Sequence, residues 1–148
     1  RVVALSPGWG GGGTVEFVEA GRLFFGLSED VAPFAWSVAD AHPAVRGQAR
    51  LLRALGAGDS PSPKDVAGWL EQLSSQCGGA LPTPREVGLA VSMLRLLESE
   101  LGGSPPPPGV LAPDQEGRMA PAESLLVDDA PWLRGRVRRS AVRFAHGA

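Results

Sequence analysis

The sequence predicts an α+β fold in which short antiparallel hairpins flank a small bundle of three helices. Short apolar runs separated by glycine-containing turns, at residues 2–27 and again at 110–121, indicate strands. Between them, three segments carry apolar residues at helical spacing, and two of these begin with a capping residue followed by proline. Strands at both ends and helices between them define the class.

The composition predicts a folded core interrupted by irregular segments. Of the 148 residues 43% are hydrophobic, whereas the 20 Gly and 14 Pro exceed the usual share and lie partly in local runs. The net charge of −2 predicts no overall attraction to nucleic acid or to an anionic membrane. The single cysteine excludes an intramolecular disulfide and fits a reducing compartment. Because the sequence starts at Arg1 without methionine or a signal-like segment, we expect a fragment of a longer protein or an incomplete gene model.

The first part of the chain contains one predicted strand and one predicted loop. Residues 2–5 are apolar and begin with two valines, which favours a strand. The glycine run at residues 10–13 lacks the Gly-Lys-Ser/Thr sequence and the helix start of a phosphate-binding loop, so we interpret it as a flexible loop. Residues 28–36 are compatible with a helical turn or with irregular chain.

A hairpin is predicted around Glu19-Ala20-Gly21. The apolar runs at residues 14–18 and 22–27 lie on either side of this short glycine-containing connection. By the two-residue period of a strand, Phe17 would lie on the same face of the hairpin as Leu23 of the partner strand.

The first predicted helix begins at Pro43. Its apolar residues follow a spacing of four, three and three, which places them in one stripe, and Gly56 stands where a left-handed C-cap belongs. The stripe consists of Val45, Ala49, Leu52 and Leu55.

The second and third helices have stronger start signals. Ser62 can cap the second helix, with proline at its first position and Asp65 near the positive end of the dipole, and Gly78-Gly79 should end it. The third begins at Thr83, and Glu86 three residues later completes a predicted capping box. Its apolar arc is wide enough to imply burial on more than one side, and Gly102-Gly103 closes it.

A proline run separates the helices from a second small hairpin. Residues 105–108 are expected to form an extended polyproline spacer, with binding to an SH3-like groove as the alternative. The turn from Asp114 to Gly117 is expected to join strands at 110–112 and 118–121. The predicted segments are 1–101 (hairpin and helices), 102–109 (linker), 110–133 (second hairpin and Asp-Asp-Ala-Pro-Trp-Leu segment) and 134–148 (arginine-rich tail).

Two charged clusters near the end of the chain are candidate functional sites. Asp128-Asp129 is a paired carboxylate, but neighbours on an extended chain point to opposite faces, which favours a turn over acid–base or metal chemistry. Five arginines between residues 134 and 143 form a basic patch that is either a phosphate-binding surface or a solvated linker. They are Arg134, Arg136, Arg138, Arg139 and Arg143.

The remaining reactive side chains form no catalytic pattern. His42 and His146 lack partners at metal-ligand spacing, and Cys77 has no base near it in the sequence. The chain also lacks the common hydrolase and metalloprotease motifs. We therefore expect no catalytic residue, no cofactor and no metal site.

The end of the chain resembles the repeat units of the sacsin family. There a segment of the form V-P-D-x-x-G-x-L-x-P-A-x-E-x-x-Y-N-D-A-P-W-L, followed by R-F-V-H-P, comes after a helical region. The corresponding residues lie at 111–123, 128–133 and 143–146, and residues 52–65 and 81–86 agree more loosely with helix junctions of the family. The departures from the pattern include Asp128 for asparagine, Ala145 for valine and Gly147 for proline, and the arginine run looks like an insertion. The residues expected to form a structural or interaction motif are Asp128, Asp129, Ala130, Pro131, Trp132, Leu133, Arg143, Phe144 and His146.

The resemblance implies a non-catalytic part of a very large cytoplasmic chaperone-type protein. Its partners would be an adjacent Hsp90-like ATPase module of the same chain and components of Hsp70 and proteasomal quality control. The alternative is a free-standing interaction adaptor that uses the proline run at residues 105–108 or the arginine patch. Independently of the resemblance, Trp132 has a large apolar area and follows Pro131, which fixes the backbone, so it is expected to dock on the helices and hold the terminal segment. The alternative is that it stays exposed as a binding anchor.

Overall fold

The computed structural model describes residues 1–5 and 17–125, and it confirms a mixed α+β fold with short antiparallel strand pairs and helices that pack together. The chain divides into two compact units, Arg1–Pro61 and a second that begins at Ser62. The strands of the described residues are β1 (Val2–Ala4), β2 (Phe17–Glu19), β3 (Leu23–Phe24), β4 (Trp36–Ser37), β5 (Leu111–Pro113) and β6 (Met119–Pro121). The helices are α1 (Pro43–Arg46), α2 (Ala49–Leu55), α3 (Pro63–Gln76) and α4 (Pro84–Leu101).

Strand β1 has a partner on both of its edges. On one side it pairs antiparallel with β2, placing Val3 opposite Val18, and both side chains are buried. On the other side Leu5 forms an antiparallel bridge with Ala41, and the His42 N–H donates to the Ala4 carbonyl at 2.8 Å. The predicted strand at residues 2–5 is therefore confirmed, with β2 paired along one edge and Ala41 bridged at the other.

The predicted hairpin around residues 19–21 is wrong. Residues Ala20–Arg22 form a 3-10 turn, β2 pairs with β1, and β3 pairs in parallel with β4 through Leu23 and Trp36. Phe17 is 67% exposed while Leu23 is fully buried, so the two do not share a buried face. Two neighbouring apolar runs satisfied the hairpin pattern, but more distant segments supply the hydrogen-bonding partners.

An extended segment after α2 widens the parallel pair. Gly58 donates its N–H to the Leu23 carbonyl at 2.9 Å and accepts from the Phe25 N–H at 3.0 Å. A Cβ added at Gly58 would lie 2.9 Å from the Phe24 ring, so only glycine fits without displacement of that ring. Beside it, Arg53 donates to Asp59 at 2.8 Å and stacks over Phe25 at 4.4 Å, which ties α2 to this edge.

The single helix predicted from residue 43 to residue 55 is divided in the structure. Helices α1 and α2 are separated by Gly47 and Gln48, and glycine is among the weakest helix formers. The apolar stripe is still on the inner side, because Leu52 is fully buried and its three companions are half-buried. Gly56 ends α2 in the left-handed conformation with φ 118°, as predicted.

Helix α3 begins with a complete capping box. The Ser62 hydroxyl accepts from the Asp65 N–H at 3.2 Å, and the Asp65 carboxylate accepts from the Ser62 N–H at 2.9 Å. The predicted cap is confirmed, and Asp65 contributes hydrogen bonds as well as charge. The apolar face is buried at Val66, Leu70 and Leu73, with Trp69 half-buried beside them.

Helix α4 packs against α3 and β5 and buries part of its predicted apolar arc. Its cap differs from the predicted box. The Thr83 hydroxyl accepts from the Arg85 N–H at 3.2 Å and caps the helix. The same hydroxyl donates to the Glu86 carboxylate. Gly102, with φ 54°, ends the helix as predicted. The buried residues are Ala90, Met93, Leu96 and Leu97.

The Thr83–Glu86 contact predicts a measurable titration. The hydrogen bond from the Thr83 hydroxyl lowers the pKa of the Glu86 carboxyl, with further lowering from backbone hydrogen bonds. Because the folded pKa is depressed, this contact stabilises α4 above the unfolded pKa and is lost as the pH falls through the folded pKa. We expect Thr83→Ala to raise the pKa of Glu86 in an NMR titration, whereas Thr83→Ser, which keeps the hydroxyl, should leave it low. An equal rise in both variants would contradict the assignment.

Candidate functional site

Of the motif residues at 111–123, 128–133 and 143–146, the structure describes the first group, which forms the hairpin of β5 and β6. The two strands pair antiparallel with Ala112 opposite Ala120, and both of these residues are buried. Val110, just before β5, is also buried, and its carbonyl accepts from the Ala122 N–H at 2.7 Å. Because β5 packs against both α3 and α4, the hairpin is part of the core of the second unit.

Asp114 organises the turn of this hairpin. Asp114 is 4% exposed. It is the only buried polar or charged residue within the described ranges 1–5 and 17–125. Its Oδ1 accepts from the Glu116 N–H at 2.8 Å and from the Arg118 N–H at 2.9 Å. The burial of a carboxylate is unfavourable unless it is hydrogen-bonded, and here two backbone amides donate to Oδ1.

The backbone of the same turn is closed by Gly117. Its N–H donates to the Asp114 carbonyl at 2.9 Å, and the Asp114 N–H donates to the Arg118 carbonyl at 2.8 Å. Gly117 has φ 76°, and a Cβ at this position would lie 3.2 Å from the Leu81 carbonyl oxygen. A three-residue hairpin loop commonly requires glycine in this left-handed conformation. The predicted second hairpin and its turn are thus confirmed.

A third extended segment joins the hairpin at β6. The Leu81 N–H donates to the Gly117 carbonyl at 2.8 Å, and the Met119 N–H donates to the Gly79 carbonyl at 2.9 Å. This segment connects α3 to α4, so the hairpin is hydrogen-bonded to the helix connection as well as packed on the helices. The turn is therefore hydrogen-bonded to the segment that joins the two helices.

The arrangement around Asp114 is suited to structure and not to acid–base chemistry. The nearest ion pair, between Arg118 and Glu116 at 2.8 Å, is mostly exposed and contributes little to stability. Within the described part of the chain, no group of three or more His, Cys, Asp or Glu residues could hold a metal ion. The turn presents no nucleophile paired with a base.

The other candidates from the sequence have structural positions where they are described. His42 caps α1, because its Nδ1 accepts from the Ala44 N–H at 3.2 Å. Cys77 is half-buried directly after α3, and its N–H donates to the Leu73 carbonyl at 3.1 Å. Both residues therefore occupy positions at the ends of helices.

The predicted motif residues at the end of the chain lie outside the described residues, as do the arginines at 134–143. The interpretation of these residues and the docking of Trp132 therefore stay predictions. The motif residues are Asp128, Asp129, Ala130, Pro131, Trp132, Leu133, Arg143, Phe144 and His146.

Sequence reasoning identified the turn but missed the burial of Asp114. The available signal was the spacing of an aspartate three residues before a glycine, flanked by short apolar runs. That spacing allows the side chain to accept from N–H groups two and four residues ahead, and the packing of β5 on the helices then excludes water.

Comparison of the chain with protein-family models, with curated proteins and with solved structures yields no match. No helix within residues 1–5 and 17–125 is long and apolar enough to cross a membrane. Fold and site together define an α+β protein whose second unit is built around an aspartate-anchored hairpin.

Proposed function

We propose that this chain is a non-catalytic segment of a sacsin-like, Hsp90-related chaperone or co-chaperone that acts in cytoplasmic protein folding and quality control. Its role is structural: it positions an adjacent Hsp90-like ATPase module of the same longer chain. Hsp70 and proteasome components are the further partners that the resemblance implies.

One observation supports a structural role above a catalytic one. Of the residues that carry the resemblance, Asp114 and Gly117 hold the turn of the hairpin, and the acid is engaged by backbone amides. A carboxylate used in this way is not available for proton transfer to a substrate. The hairpin in turn is bonded to the connection between two packed helices, which is suitable for a rigid spacer between modules.

The coding sequence on either side of this segment provides the first test. A sacsin-like protein should encode an Hsp90-like ATPase module there, recognisable by N-x-x-D-A and D-x-G-x-G motifs. The module and this chain can then be produced separately, and their association measured by calorimetry. A transcript that encodes no such module would contradict the proposal.

The chain itself should not bind nucleotide. It contains neither a glycine-rich loop followed by Lys-Ser/Thr nor the Hsp90-like motifs, which are the patterns that would hold the phosphates of ATP and its magnesium ion. Calorimetric titration of ATP and magnesium into the whole chain should give only the heat of dilution. Saturable binding at micromolar ATP would contradict a non-catalytic role, while leaving a chaperone relationship open to the test above.

A further inference from the structure

The proline run at residues 105–108 is not used by the proposed function. Proline fixes its own φ near that of a polyproline II helix, and each residue that precedes a proline is also restricted to extended conformations. Four consecutive prolines therefore favour the polyproline II conformation before any partner is present, and the last of them, Pro108, leads into a turn with Gly109.

Both ends of the run are attached to ordered structure. Before it, α4 ends at Gly102, and the Ser104 N–H donates to the Leu101 carbonyl at 2.9 Å. After it, the left-handed Gly109 (φ 76°) leads into the buried Val110. The run is thus held at the surface of the second unit between α4 and β5, with little freedom to lose on binding.

Exposure differs among the three ridges of this short helix. With three residues per turn, Pro105 and Pro108 share one ridge, Pro106 forms the second and Pro107 the third. Pro105, Pro106 and Pro108 are exposed, whereas Pro107 is half-buried. Two adjacent ridges are therefore accessible, and the third is partly covered by the protein.

We propose that residues 105–108 are a docking ligand for a partner domain whose groove is lined by aromatic side chains and recognises polyproline II helices. Such grooves accept adjacent proline ridges and gain affinity because the ligand is already extended. No residue between Glu100 and Asp114 is charged, so the run matches an uncharged aromatic groove and offers no cation to an acidic one. This inference goes beyond the proposed function and does not depend on it.

The test uses the whole chain with two isotope-labelled probes, a WW domain and an EVH1 domain. We expect addition of the unlabelled chain to shift the resonances of groove residues saturably in at least one probe. Replacing both prolines of the exposed ridge, Pro105→Ala with Pro108→Ala, should weaken that binding about tenfold or more.

Pro107→Ala is the matched control, because it loosens the same run but alters the covered ridge. Its affinity should stay within about twofold of the unmodified chain. A synthetic peptide of residues 102–110 should compete for the same groove, which separates binding from any effect of the substitutions on folding. The absence of shifts in both probes, or equal losses for the covered and exposed ridges, would overturn the proposal.

Discussion

Replacement of Asp114 by alanine should lower the free energy of unfolding by about 2–4 kcal/mol, since hydrogen bonds to a charged group contribute more than neutral ones. The substitution removes the acceptor for the Glu116 and Arg118 N–H groups in a turn where the side chain is 4% exposed. The turn also bonds to Leu81 before α4, so its loss should weaken both helices. The denaturant midpoint of the helical circular dichroism signal is the measurement.

Asp114→Asn is the matched control for this variant. It keeps a side-chain oxygen that can accept both N–H groups but removes the charge and replaces the second oxygen with an NH2 group, so it should lose less stability than Asp114→Ala. Glu116→Ala, at an exposed position of the same turn, should stay within about 0.5 kcal/mol of the original. If Asp114→Ala had the same midpoint as these two controls, the anchoring role would be wrong.

Truncation of Leu70 to alanine should lower the free energy of unfolding by about 2–5 kcal/mol. Leu70 is fully buried on the face of α3 that lies within the second unit, where α3 packs against α4 and β5. Removal of its side chain forfeits transfer free energy and leaves a cavity that neighbouring helices fill only in part.

Gln72→Ala tests whether such an effect is specific to the buried face. Gln72 is exposed on the same helix, and alanine is at least as good a helix former, so the midpoint should change little. Equal effects of Leu70→Ala and Gln72→Ala would show that α3 does not pack through this face.

Features that depend on a few neighbouring residues were predictable from the sequence. Ser62 caps α3 and Gly56 ends α2 because capping hydrogen bonds and left-handed glycine conformations are decided within one turn of the chain. The turn from Asp114 to Gly117 was predictable for the same reason, because its hydrogen bonds span at most four residues.

Strand pairing was not predictable to the same degree. The runs before and after Gly21 satisfied the pattern of a hairpin, yet β2 pairs with β1 and β3 pairs with Trp36 and Gly58. A strand of two or three residues carries too few alternating positions to specify its partner. The partner is decided by which distant segment completes the hydrogen bonds while burying residues such as Leu23.

For this protein, the sequence alone determined the α+β class, the cap that begins α3, the glycines that end α2 and α4, and the polar turn from Asp114 to Gly117. Only the tertiary structure decided that β1 lies between two partners and that Asp114 is buried. The difference has one physical cause. Capping and turn formation depend on local backbone geometry, whereas burial and pairing depend on which remote surfaces exclude water together.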